Sequence, residues 1–126
     1  MEEQSQTVDP LVMLYVPCGS ETEATDIGSR LLSQRLIACA NIYASRSLYV
    51  WNGEMADEQE MVLVCKTLAS RAEEAAALIE QIHSYDVPCI LRIVPAEANS
   101  EYYRWVSAEV TSPAAPNASQ ATSGAN

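Results

Sequence analysis

Two thiols and one imidazole are the groups in this chain best suited to chemistry, provided the fold gathers them: Cys18, Cys89 and His83, the last being the sole histidine of 126 residues. Thiolate and imidazole favour Cu(I) or Zn(II) over Mg(II) or Ca(II), and two Cys with one His would leave a fourth position open. The competing expectation for His83 is structural, because an imidazole at a helix C-terminus hydrogen-bonds the last carbonyls. A Cys/His hydrolase would need a thiol within reach of His83, with Asp86 orienting the ring, and no motif supports one. Cys39 and Cys65 stand in apolar runs and read as small hydrophobes. None of the four cysteines forms a C-x-x-C pair, which fits reduced thiols better than a disulfide framework. Trp51 and Tyr85 are open between interface packing and a ligand cleft at a subunit boundary.

The elements that must position these groups follow from periodicity. Leu11 to Val16 is an apolar run between Pro10 and Pro17, hence a buried strand. Ser20-Glu21-Thr22-Glu23 is a capping box opening a helix on Ala24, Ile27, Leu31 and Leu32, ending near Leu36 or Ile37. Gly28 within it predicts a close approach to the sheet. From Ala38 to Thr67 the chain reads as a long hairpin. Ser47, Tyr49 and Trp51 share one face of the first arm, Trp51 to Gln59 form a polar acidic tip, and Glu60 to Thr67 form an apolar return arm. A second capping box, Ser70-Arg71-Ala72-Glu73, opens a helix that stops around His83. Ile90 to Val94 is a fourth strand, and Asn99 caps a short helix through Tyr102, Tyr103, Trp105 and Val106.

The order is strand, helix, strand, strand, helix, strand, then one terminal helix: an α+β, ferredoxin-like βαββαβ chain. Directions alternate along such a chain. The ends of the first strand and second helix, the start of the fourth strand and the hairpin tip therefore share one edge, which carries Cys18, His83 and Cys89. Cys39 and Lys66 fall on the opposite edge. Two helices cover one sheet face, and the apolar return arm asks for a partner on the other.

Residues 11–110 form the expected domain, between an acidic head (1–10) and a Pro/Ala/Ser/Asn-rich tail (111–126) expected to be disordered. A net charge of −10 argues against nucleic acid as a partner. No transmembrane run and no secretory pattern stand out, so a cytoplasmic protein is expected, with the Asn117-Ala118-Ser119 sequon idle.

Five motifs in order give the chain a family likeness: Leu36 to Ile42 (LIACANI), Ser47 to Gly53 (SLYVWNG), Glu60 through Thr67, His83-Ser84-Tyr85-Asp86-Val87-Pro88, and Tyr102 through Trp105. The chain resembles the CutA divalent-cation-tolerance proteins over Leu11 to Val110. That resemblance implies a homotrimer with hairpins paired about the threefold axis, similar to the trimer of the PII signalling proteins. It marks Cys39, Trp51, Lys66, His83 and Tyr85 as characteristic positions, places Cys18 and His83 in the region linked to copper, and implies no catalytic activity. Two positions depart from the family pattern: Ser84 replaces a proline, and Cys89 replaces a glutamate. The resulting expectation is a non-enzymatic homotrimer binding Cu or Zn through Cys18, His83 and Cys89. The alternative is a PII-like regulatory or scaffold trimer holding a small molecule or protein partner in an intersubunit cleft of Cys39, Trp51, Lys66 and Tyr85.

Overall fold

The computed structural model describes residues 8–111, so the disorder expected for residues 1–7 and 112–126 concerns positions outside the described residues. The elements are β1 (Leu11–Cys18), α1 (Glu21–Ser33), β2 (Cys39–Trp51), β3 (Glu54–Leu68), α2 (Ala69–Ile82), β4 (Leu91–Ala96) and α3 (Ser100–Thr111). The four strands form one antiparallel sheet in the order β2-β3-β1-β4. The fold is the expected α+β arrangement.

Alternation along β1 divides the sheet into two faces. Val12, Leu14 and Val16 are fully buried beneath the helices, whereas Met13, Tyr15 and Pro17 point to the other side and stay half-buried. Onto the first face α1 lays Ala24, Ile27 and Leu31, and α2 lays Ala72, Ala75 and Ile79. Gly28 makes the expected close approach: a Cβ there would sit 3.2 Å from the Ala40 Cβ. A second small core joins Leu11, Ala38 and Leu68 to Val106 and Val110 of α3.

The structure differs from the sequence reading at several junctions. The hairpin has no long polar tip. Asn52 and Gly53 alone turn the chain, at φ 54 and 81, so β2 and β3 stay paired from Trp51↔Glu54 down to Cys39↔Lys66. Two left-handed residues in a two-residue loop match the strands' own twist, and the acidic residues 54–60 become strand. Ser70 does not cap α2. Leu68 is buried in the second core and leads straight into the helix without a side-chain cap, and the Asp9 carboxylate accepts from the Ser70 N–H at 2.9 Å instead. Asp9 and Pro10, assigned by sequence to the head, are thus tied down. The Asp9 carbonyl also accepts from the Tyr103 hydroxyl, and the Pro10 carbonyl from the Ala69 N–H. Helix α1 ends at Ser33 because Arg35 adopts φ 58, and Leu36 and Ile37 are buried in the turn that follows. Strand β4 runs to Ala96, and Thr111 closes α3 with its hydroxyl donating to the Ser107 carbonyl. Among the described residues, no helix is long and apolar enough to cross a membrane.

Candidate functional site

The expected edge exists, and its geometry starts with the imidazole. His83 caps the C-terminus of α2, its own N–H donating to the Ile79 carbonyl. Its ring is fully withdrawn from solvent. Nε2 lies 2.9 Å from the Pro17 carbonyl, and Nδ1 lies 3.1 Å from the Tyr85 backbone nitrogen. A carbonyl only accepts and an amide N–H only donates, so Nε2 carries the proton and Nδ1 supplies the lone pair. Both ring nitrogens are therefore used in joining the end of β1 to the turn after α2.

Glu23 completes that junction. Its carboxylate accepts from the Gly19 N–H at 3.0 Å, the Ser84 N–H at 2.8 Å and the Ser84 hydroxyl at 3.0 Å, with His83 Nδ1 3.6 Å away. Burial opposes ionisation here, but the hydrogen bonds from Gly19 and Ser84 hold the carboxyl below its ordinary range. Ser20 accepts from the Glu23 N–H, as a capping residue should.

The thiols separate sharply. Cys18 is fully buried, its Sγ–H directed at the Val16 carbonyl, and burial with the nearby Glu23 and Glu60 charges pushes the thiol up to about 12. Cys89 is exposed, and partial desolvation with the Glu60 charge raises it more modestly. The topology thus brings Cys18, His83 and Cys89 to one edge, but they do not form a ligand set within one protomer. Cys18 is a neutral core thiol and His83 has no free nitrogen, leaving Cys89 alone accessible. Among the described residues, no three or more His, Cys, Asp and Glu side chains are grouped to hold a metal ion.

What the edge does build is a cleft of about 470 Å³ on the sheet face that α1 and α2 leave open. Its walls carry three aromatics (Tyr49, Trp51, Tyr85), three carboxylates (Glu58, Glu60, Asp86), and Pro17, Val87 and Cys89. Among the described residues, neither Lys nor Arg lines it. The Tyr85 hydroxyl donates to Glu60 Oε2 at 2.8 Å and the Tyr49 hydroxyl to Glu58 Oε1 at 2.8 Å. Both phenols are raised, Tyr85 by burial and by Glu60, Tyr49 chiefly by its bond to Glu58. His83 helps position the cleft, since its ring packs 4.7 Å from that of Tyr85.

The four residues expected in one cleft fall into two groups. Trp51 and Tyr85 line this one. Cys39 and Lys66 are cross-strand partners at the far end of the hairpin, where Lys66 Nζ lies 5.9 Å from the Tyr102 ring centroid. A 13-residue β2 puts roughly 40 Å between Cys39 and Trp51, so one protomer cannot bring them together. Glu58, Glu60 and the Glu23–Ser84 clamp were not singled out from sequence. The first two were findable: once Asn52-Gly53 is taken as the whole turn, register places Glu58 opposite Ser47 and on the face of Tyr49 and Trp51. The clamp carries no local signal.

Residues 12–109 match the family model described as CutA1 divalent ion tolerance protein. The divalent-cation tolerance protein CutA of Pyrococcus horikoshii is 33% identical over 99 residues, spanning 79% of this chain and 97% of that protein. Among solved structures, the divalent ion tolerance protein CutA1 from Ehrlichia chaffeensis superposes with a TM-score of 0.78 at 33% identity, covering 83% of this chain and 99% of the other. The periplasmic divalent cation tolerance protein CutA from Archaeoglobus fulgidus gives 0.77 at 30% identity, covering 79% and 98%.

Proposed function

The chain belongs to the CutA1 divalent ion tolerance family, and from that membership we propose that it serves cation tolerance as a non-enzymatic homotrimer that captures its ligand in the acidic, aromatic cleft. The observation that carries this reading is the cleft's lining: three carboxylates, no base, and aromatic walls, an environment for a positive ligand. Exposed apolar side chains on both sides of the sheet support assembly. Leu48, Val50 and Met55 lie on the face of the hairpin opposite Tyr49 and Trp51, and Leu91 lies beside Tyr15 on the open face, each more than half exposed, an apolar surface that an obligate interface would cover.

A copper or zinc ion in this cleft would find the Cys89 thiolate and the Glu60 carboxylate, the donors best placed to turn toward it, and would need a further ligand from a partner protomer or water. Cys18 and His83 then act as structural supports. A PII-like use of the cleft for a small molecule is the second reading, favoured by a volume well beyond that of a single ion.

Anaerobic titration of the reduced protein with Cu(I) and Zn(II), read by native mass spectrometry, tests both assembly and metal. A trimer that takes up metal in the parent and loses it in Cys89→Ser is expected. A monomer at micromolar concentration would overturn the assembly, and metal uptake unchanged in Cys89→Ser would overturn the ligand assignment.

A further inference from the structure

We propose that the cleft binds a small organic polycation, a linear diamine or triamine, with Glu60 as its anchor and Trp51 as its wall. This rests on reading the cleft as a ligand site, and not on metal binding or on the number of subunits.

Glu60 carries the inference. It is only 7% exposed, and among the described residues its one hydrogen bond is from the Tyr85 hydroxyl to Oε2 at 2.8 Å. Oε1 is not shut away from solvent, so this largely withdrawn carboxylate keeps acceptor capacity at the cleft wall for a positive group. Among the described residues of this protomer, no side chain supplies the pairing charge. Neither Lys nor Arg lines the cleft, and Arg46 on the same hairpin is engaged by both Asp57 oxygens at 2.9 and 2.8 Å.

The remaining lining selects among cations. Glu58 and Asp86 add a second and a third carboxylate, which suits a ligand with more than one positive centre. Tyr49, Trp51 and Tyr85 bring aromatic surface to the same walls, and aromatic rings attract ammonium groups while packing against methylene chains. A bare divalent ion would make no use of the aromatic walls, and among the described residues of one protomer no three-donor group converges to hold it. An ammonium has three N–H donors on one centre, matching the free acceptor capacity of Glu60. The volume of about 470 Å³ lies within the range of small-molecule sites.

The test is a spermidine titration of the full chain in a metal-chelating buffer, followed by Trp51 fluorescence, with Trp51→Phe identifying the signal against Trp105. A saturable change is expected, weakened at least about tenfold in Glu60→Gln, the loss of one charge-assisted hydrogen bond. Glu58→Gln, on the exposed hairpin, should weaken it severalfold and serves if the Glu60 variant misfolds. Neutral 1,6-hexanediol and Mg²⁺ at matched ionic strength should produce no change. A response that never saturates, that Mg²⁺ reproduces, or that both Gln variants retain would overturn the proposal. Spermidine binding without metal uptake would remove the metal reading alone. Metal uptake without spermidine binding would remove this inference alone.

Discussion

Glu23 on α1 and Ser84 after α2, sixty-one residues apart, are joined twice: the Ser84 N–H and hydroxyl both donate to the one carboxylate, at 2.8 and 3.0 Å. A proline at this position could offer neither donor. Ser84→Pro should therefore lower stability by about 1–2 kcal/mol, measured as the shift in urea midpoint at unchanged slope.

The same clamp predicts an acid response. Glu23 titrates lower in the folded chain than its ordinary value, so its stabilising contribution is complete above the ordinary carboxyl range and is lost as pH falls through the folded pKa. Urea unfolding between pH 7 and pH 3 should show stability falling in acid, and Glu23→Gln should be less stable at neutral pH with a flatter profile.

His83 should behave as a strut. Its ring nitrogens report the neutral Nε2–H tautomer in nitrogen NMR, because Pro17 accepts and the Tyr85 N–H donates. His83→Ala leaves both of those groups unpaired and opens a void, for a loss of about 2–4 kcal/mol in chemical unfolding. An imidazole protonated on Nδ1 instead would contradict the assignment.

Thiol labelling should resolve the cysteines by environment. Cys89 is expected to react fastest with a disulfide reagent, while Cys18 and Cys65, buried and both pushed up to about 12, should react only on unfolding. Glu60 raises Cys89, so Glu60→Gln should accelerate Cys89 labelling at pH 8 by increasing the thiolate fraction. Slower labelling in that variant would count against the placement.

Two glycines should fail for different reasons. Gly53 sits at φ 81 with open space around it, so Gly53→Ala costs about 1 kcal/mol in backbone strain alone. Gly28→Val drives a branched side chain toward Ala40 and Leu63 and should cost about 1–3 kcal/mol by overpacking, read as a lower melting temperature.

The residues themselves determined the element order, the buried face of β1, the Ser20 cap and the close approach at Gly28, because each depends on neighbours within a few positions. They also placed Cys18, His83 and Cys89 on one edge, since strand direction follows from connectivity. Only the tertiary structure decided what those groups do there. Whether His83 is a ligand or a strut depends on where the Pro17 carbonyl falls relative to the ring, and the low Glu23 carboxyl depends on donors sixty-one residues away. The cleft likewise required the hairpin's register, set by a two-residue turn, before Glu58 and Glu60 could meet Trp51 and Tyr85. Local periodicity fixes which way a side chain faces; the charges and carbonyls it meets are set by chain segments remote in sequence.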